Sequence, residues 1–105
     1  MKSPYSSPTL VMNIKRRFFA AILSVPRRKR VEYRKNSLYW RRRLARVGRP
    51  PFNLRFLNGM TPPIPEATVR VVRVVHNRRG RELEFHLGRV LDIRHWNRAR
   101  ERPAR

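Results

Sequence analysis

Apolar residues gather at helical spacing in two short stretches of a chain that is otherwise dominated by arginine. The most apolar run is FFAAILSV, residues 18–25, bounded by KRR before it and RRKR after it. Asn13 is placed to cap a helix here and Pro26 to end it. The pattern predicts one short helix. Because a membrane span needs about 20 apolar residues, this run is too short to cross a bilayer.

A second helix is predicted over LYWRRRLARV. Ser37 precedes this stretch as an expected N-cap, and Gly48 follows it where a left-handed C-cap residue is expected. At 100° per residue, Trp40, Leu44 and Val47 fall on one narrow stripe, and arginines occupy most of the remaining circumference. We therefore expect the stripe to dock on protein while the arginines point away from it.

Residues 49–66 carry five prolines and an Asn-Gly turn signal. Proline favours extended backbone, and Phe52, Leu54 and Phe56 alternate as in a short edge strand. The pattern predicts an extended arm whose apolar side chains lie on a neighbouring protein. The alternative is a proline-rich ligand of a recognition domain, which the basic, non-repetitive composition disfavours.

Residues 67–93 predict a β-hairpin, because VRVVRVV and ELEFHL flank NRRG. A three-residue loop with left-handed Gly80 suits the turn rules better than a two-residue loop. The three-residue loop pairs Val75 with Leu83 and Val71 with Leu87. The two-residue loop pairs Arg73 with Glu84 and Val72 with Phe85. In either register Leu83, Phe85 and Leu87 face inward. A third short strand, GRVLDIR, is expected to complete a meander, since an isolated hairpin is only marginally stable.

Together these elements predict a small α+β chain with extended basic segments and little independent core. Its expected parts are an import-like or binding N-terminal arm with a short helix (1–26), an arginine-rich linker and helix (27–48), a proline-rich extended arm (49–66), a hairpin or three-stranded meander (67–95) and a basic tail with Trp96 as an anchor (96–105). Such a chain is expected to reach its folded shape by binding a nucleic acid through its guanidinium groups.

The charge balance points to a polyanionic partner. Lysine and arginine total 27 against 6 acidic residues, a formal net charge of +21, and only 4 of the basic residues are lysine. A compact chain with this charge repels itself unless anions are bound. Arginine binds phosphate bidentately and stacks on bases, which favours nucleic acid. A GC-rich genome would explain arginine over lysine but not the excess of base over acid.

The sequence therefore supplies two sets of candidate binding residues. RNA contacts are expected from Arg16, Arg17, Arg27, Arg28, Lys29, Arg30, Arg34, Lys35, Tyr39, Arg41, Arg42, Arg43, Arg46, Arg49, Arg78, Arg79 and Arg81. Docking on neighbouring proteins is expected from Trp40, Leu44, Val47, Phe52 and Phe56. Tyr39 lies off the apolar stripe and is the candidate for stacking on a base.

Catalytic and metal-binding patterns are missing from the sequence. Cysteine is absent, and His76, His86 and His95 form no helical pair. The two hairpin histidines could meet Glu82 and Glu84 across the strands, but such residues are far more often solvated. We expect no enzyme, no metal, no cofactor and no small-molecule substrate.

The first 26 residues are free of acids, contain serine and mix arginine with apolar residues, which is typical of a mitochondrial import segment. The sequence does not decide whether this segment is cleaved or retained. The cluster RRKR that follows, residues 27–30, resembles a nuclear localisation signal but suits phosphate contact better.

These observations predict a structural RNA-binding component of a ribosome, in the mitochondrial matrix, with ribosomal RNA and neighbouring ribosomal proteins as partners. This resembles ribosomal proteins that carry long basic extensions, in composition and layout over the whole chain. The alternatives are a nuclear DNA- or RNA-binding protein, a supernumerary subunit of a mitochondrial inner-membrane complex and, last, a membrane-active cationic peptide.

Overall fold

Strands form most of this fold. The structure, a computed structural model, describes residues 3–104, with the side chain of Arg78 outside the described atoms. The five main strands are β1 (Thr9–Asn13), β2 (Val31–Lys35), β3 (Phe52–Leu57), β4 (Glu66–Asn77) and β5 (Glu82–Arg94), and the α-helices are α1 (Arg16–Leu23) and α2 (Leu38–Val47). A short 3₁₀ turn lies at Pro4–Ser6, an irregular turn spans Arg78–Gly80, and a small ribbon joins β6 (Trp96–Asn97) to β7 (Arg102–Pro103).

The five main strands form one sheet in the order β1-β3-β4-β5-β2. Strand β1 runs parallel to β3, and the other neighbours are antiparallel. The sheet curls until its two edge strands approach each other, since Arg34 of β2 donates from Nη2 to the carbonyl oxygen of Asn13 in β1 at 3.1 Å. This curl encloses the apolar side chains on one face.

The enclosed core draws its buried apolar side chains from β1, α1, β3, β4, β5 and β6 and from Ile14. Phe19 and Trp96 meet edge to face at 4.9 Å between ring centroids, which joins α1 to the ribbon after β5. The buried apolar side chains are Leu10, Met12, Ile14, Phe19, Ala20, Ile22, Leu23, Phe52, Leu54, Phe56, Ala67, Val69, Val71, Leu83, Phe85, Leu87 and Trp96. Trp96 is thus an anchor of the tail, as predicted.

The prediction of extended segments with little independent core is wrong. The Cα radius of gyration is 13.7 Å, whereas a folded chain of this size has about 13 Å and an unfolded one about 30 Å. The N-terminal segment supplies a strand and a helix to the core because Leu10, Met12 and Ile14 alternate with exposed residues. Pairing of β1 with β3, more than forty residues away, turns that alternation into a buried face.

The proline-rich segment is likewise not an arm. Strand β3 forms where alternation predicted a strand, but it lies inside the sheet between β1 and β4 and not at an edge. Phe52 and Phe56 are 0 % exposed within this chain's own core. Their predicted docking on a neighbouring protein is therefore wrong, because the hairpin and β1 already cover them.

Helix α2 begins and ends where predicted, but Gly48 is not in the left-handed helical conformation that was expected, because its ψ is −154°. The Ser37 hydroxyl accepts from the Trp40 amide at 3.3 Å, and Gly48 ends the helix with φ +74°. Trp40, Leu44 and Val47 pack half-buried against this chain's own core. The stripe therefore does dock on protein, but the protein is the chain itself and not a neighbour.

Helix α1 begins later than predicted. Lys15 holds its N-cap position without a side-chain hydrogen bond, and Asn13 instead ends β1. Phe19, Ile22 and Leu23 form the buried face of the helix. The cap prediction failed because a strand, which the sequence reading did not include, occupies the residues before the helix.

The hairpin loop has four residues, Arg78 to Arg81, so neither predicted register holds at the turn. His76 lies opposite Leu83, where Val75 was expected. A register shift between Val71 and Arg73 then restores the predicted pairing of Val71 with Leu87. Arg79 and Gly80 both have positive φ, which lengthens the turn by one residue. The inward face of Leu83, Phe85 and Leu87 is confirmed.

The predicted third strand is instead the second half of β5. The ladder between β4 and β5 contains three register shifts, which bend the long hairpin instead of ending it. Gly88 lies at this bend, where a Cβ would be only 2.7 Å from Val72 Cγ1. Glycine therefore permits the close approach of the two strands.

Strand β2 arises in a segment predicted as a basic linker. It pairs with β5 from Val31 to Lys35, and Glu32 is its buried residue. The carboxylate accepts from Arg34 Nη1 and from the Tyr33 amide, both at 2.9 Å. A buried charge is tolerated when it is paired in this way. The strand was missed because a charged residue, and not an apolar one, faces inward.

Several acidic side chains bind basic ones across the fold. Glu66 pairs with Arg55 on β3 and lies 4.0 Å from Arg94 on β5. Glu101 accepts two hydrogen bonds from Arg28, which lowers the pKa of Glu101 and raises that of Arg28. Hydrogen bonds from Asn77 and then His86 lower the pKa of Glu84. These acidic side chains thus stabilise the chain's own fold.

Over residues 3–104, the longest helix has 10 residues, and none is long and apolar enough to cross a membrane.

A core substitution tests whether the chain folds by itself. Phe56→Ala removes a ring that is 0 % exposed and should lower the free energy of unfolding by roughly 3–5 kcal/mol. Met60→Ala, at a side chain that is 86 % exposed, should change it by less than about 0.5 kcal/mol. Urea denaturation without nucleic acid measures both. A wild-type chain with no cooperative transition would show that the core does not suffice.

The lowered pKa of Glu101 predicts a loss of stability in acid. A carboxyl whose pKa is lower in the folded chain binds fewer protons there than in the unfolded chain. Its contribution is therefore complete above its ordinary value of 4.5 and is lost as the pH falls through the lowered one. Glu101→Gln should reduce the drop in urea midpoint between about pH 6 and about pH 3. An unchanged drop would contradict this role.

Candidate nucleic-acid interface

The outer side of α2 carries exposed arginines without acidic partners. Arg41, Arg42 and Arg46 point away from the apolar stripe, and Arg49 follows the helix, also exposed. Among the described residues, no carboxylate lies within 4.0 Å of these guanidinium groups. Like charges three or four residues apart destabilise an isolated helix. The packing of the stripe on the core holds the arginines in place against that repulsion.

An aromatic pair lies beside these arginines. Tyr39 is 58 % exposed and meets Trp40 edge to face at 5.2 Å. The guanidinium of Arg43 lies 4.9 Å from the Tyr39 ring centroid and 5.6 Å from that of Trp40. Arg43 is thus held against the rings, while Tyr39 keeps much of its surface open to solvent. Such a ring can stack on a base, which is worth roughly 1–3 kcal/mol.

The hairpin loop meets the chain just before the N-terminal end of α2. The Asn36 amide nitrogen donates to the Arg81 carbonyl at 2.9 Å, and the Asn36 side chain donates to the carbonyl of Gly80. Arg79 and Arg81 are exposed there, and so is Lys35. Hydrogen bonds from Asn36 therefore join two basic segments that are about forty residues apart in the chain. The predicted RNA-binding residue Arg78 lies outside the described side chains.

Other residues predicted to bind RNA are engaged within the fold. Arg34 binds Glu32 and two backbone carbonyls and lies 5.8 Å from the Trp40 ring. Lys29 lies 3.9 Å from the same carboxylate, and Arg28 is paired with Glu101. These side chains stabilise the strand arrangement, so their primary role is structural.

The arginine pair of helix α1 differs from these residues. Arg16 and Arg17 are exposed, and their guanidinium groups lie 6.0 Å from the Trp96 ring and 4.7 Å from the Phe18 ring, respectively. The rings favour cations over their faces. Both arginines have no carboxylate partner among the described residues.

Two further exposed arginines, which are not among the predicted RNA-binding residues, line a depression that includes no residue of α2. Arg89 of β5 and Arg98, after β6, line one depression with Arg27 and Arg30. Burial lowers the pKa of Arg27, and the charges of Arg30 and Arg98 lower it further. No local pattern indicates this grouping, because the pairs are about sixty residues apart in the chain.

The described residues contain no group of three side chains that could hold a metal ion. His86 Nε2 lies 3.0 Å from Glu84 Oε1, and His76 is exposed opposite Leu83. The distinctive chemistry of the described residues is therefore the density of uncompensated guanidinium groups.

Comparison with known proteins adds no relative to this description. No protein-family model, no curated protein and no solved structure matches the chain. The function is consequently inferred from the chain's own residues and their geometry.

Proposed function

We propose that this protein is a structural RNA-binding component of a ribonucleoprotein particle, and that the particle is a ribosome of the mitochondrion. The observation that carries the proposal is the exposed side of α2. Its arginines have no carboxylate within 4.0 Å among the described residues, although the chain has a net charge of +21. A rigid surface of this kind is complementary to a polyanion.

The mechanism is neutralisation of phosphate charge. Arg41, Arg42, Arg46 and Arg49, with Arg79 and Arg81 of the adjoining loop, bind phosphates and release condensed counterions. Because α2 is docked on the core, the guanidinium groups meet the RNA in a preset arrangement and recognise its shape, as RNA-binding proteins commonly do. Tyr39 adds stacking on an unpaired base.

Arginine content favours nucleic acid over other polyanions. The chain uses 23 arginines and 4 lysines, and arginine combines bidentate phosphate binding with stacking on bases. The acid-free basic stretch of residues 1–26 supports import into the mitochondrion. In the structure that stretch also supplies β1 and α1 to the core.

Substitution of exposed arginines on α2 tests the interface. Arg42→Gln with Arg46→Gln should weaken binding to a folded RNA. The slope of log affinity against log salt should fall by roughly 0.7–0.9 for each phosphate that the variant no longer neutralises. Fluorescence anisotropy over a series of salt concentrations measures both quantities. Urea denaturation confirms that the variant is folded.

The matched control removes the same charge from paired positions. Arg55→Gln with Arg94→Gln also deletes two positive charges, but these guanidinium groups are bound to Glu66 and Asp92. It should reduce the salt slope less than the α2 variant does. Equal reductions in the two variants would show that net charge, and not the α2 surface, determines binding.

Sedimentation tests the particle. In a sucrose gradient of mitochondrial lysate, the chain should travel with a ribosomal subunit and move to light fractions after ribonuclease treatment. Sedimentation that survives removal of RNA would instead assign the chain to a protein complex. Recovery in nuclei and not in mitochondria would contradict the proposed compartment.

A further inference from the structure

Four arginines from three segments of the chain line one open depression near the C-terminal end of α1. Arg27 and Arg30 come from the loop after α1, Arg89 from β5 and Arg98 from the turn after β6. The depression has a volume of about 400 Å³, and Ser24 and Val25 form part of its wall. Volumes of this order accommodate small ligands. No carboxylate is present among the described residues that line the depression.

Backbone carbonyls fix two of these guanidinium groups. Arg27 Nη1 donates to the carbonyl oxygens of Gly88 at 2.6 Å and Leu87 at 3.4 Å. Arg98 Nε donates to the carbonyl of Leu23, the last residue of α1, at 2.6 Å. A guanidinium group has five N–H donors, so most of them remain available to a ligand. The two cations are thus positioned before any ligand arrives, which reduces the entropy lost on binding.

The backbone around the depression is also held tightly. Ser24 is buried, its hydroxyl donates to the Ala21 carbonyl at 2.8 Å, and it accepts from the Arg28 amide at 2.9 Å. The Leu87 amide donates to the Arg30 carbonyl at 2.9 Å, which joins the loop to β5. The arginines therefore project from a rigid frame.

The protein leaves this concentration of charge uncompensated. Arg28 lies within the same loop, but its guanidinium is bound to both oxygens of Glu101. The four arginines that line the depression have no carboxylate within 4.0 Å among the described residues. Like charges held together are costly unless an anion lies between them. Phosphate suits such a site because guanidinium groups bind its oxygens bidentately.

We propose that Arg27, Arg30, Arg89 and Arg98 form a phosphate-binding site. This inference rests on the proposed function for the source of its ligand, which is then a phosphate of the RNA backbone held at a fixed point away from the α2 surface. The same chemistry would hold a free polyphosphate. The experiment therefore has one arm for each source.

The RNA arm compares two double variants that lose equal charge. Arg89→Gln with Arg98→Gln removes half of the site, whereas Arg100→Gln with Arg102→Gln removes exposed arginines of the same tail region that do not line the depression. The site variant should weaken binding to a folded RNA about tenfold more than the control. Anisotropy in the same salt measures the difference.

A second variant distinguishes loss of the site from loss of folding. Arg98 binds the end of α1, so its removal affects the helix as well as the site. Arg89 is exposed and makes no side-chain hydrogen bond within the described part of the chain. Arg89→Gln alone should leave the urea midpoint unchanged and still weaken RNA binding about threefold.

The polyphosphate arm uses sodium pyrophosphate as its probe. In the full chain, backbone NMR signals of Ser24, Gly88 and Arg89 should shift in a saturable way, and they should not do so in the Arg89→Gln, Arg98→Gln variant. Sodium chloride at matched ionic strength serves as the control. Shifts that grow without saturation over all exposed arginines indicate no specific pyrophosphate binding.

The two arms separate failure of the site from failure of the proposed function. If the wild-type chain binds no RNA but saturates with pyrophosphate, the proposed function fails and the site belongs to a free polyphosphate. A loss of RNA binding in the site variants without pyrophosphate saturation assigns the site to RNA. If the RNA affinities of the site and control variants agree and pyrophosphate does not saturate, the phosphate-binding site is overturned.

Discussion

Burial of Phe52, Leu54 and Phe56 in β3 is the interaction on which the rest of the structure depends. All three side chains are fully buried, and β3 pairs with β1 on one side and with β4 on the other. It thereby connects the N-terminal segment to the long hairpin. Because apolar burial contributes about 25 cal/mol per Å², this central strand offsets repulsion in a chain of net charge +21.

The same burial positions α2 and its exposed arginines. Phe52 meets Phe85 edge to face at 6.5 Å, and Phe85 meets Trp40 at 6.1 Å. Through this series of rings, α2 is docked on the core and its arginines are turned outward. The arginines divide into those paired with carboxylates of the fold and those with no carboxylate partner among the described residues. The second group gives the molecule its capacity for an external anion.

Local signals were sufficient for some elements and insufficient for others. The N-cap, the C-terminal glycine and the apolar stripe of α2 lie within twelve residues, and the sequence predicts the position of each. The inward face of the hairpin also followed from alternation. The register failed, because bulges and a positive φ at Arg79 depend on how the strands bend around the core. Strand β2 was missed because its buried residue is Glu32.

The candidate binding residues also divide into those that a local pattern identifies and those that only the fold brings together. Arginines on α2 could be named from the sequence because their helix has a clear apolar side. Arg34 was named too, but its environment of Glu32, Asn13 and Trp40 exists only after the sheet curls. Arg89 and Arg98 could not be named, since they meet Arg27 only through the pairing of β5 and the end of α1.

The sequence by itself determined the charge, the preference for arginine, the caps of α2 and the alternation that makes its strands possible. The tertiary structure decided which strands pair, that the proline-rich segment lies inside the sheet, and which arginines remain free of partners. The reason is physical. Charge and helix caps depend on residues close together in the chain, whereas strand pairing, burial and ion pairing depend on residues that only the folded backbone brings together.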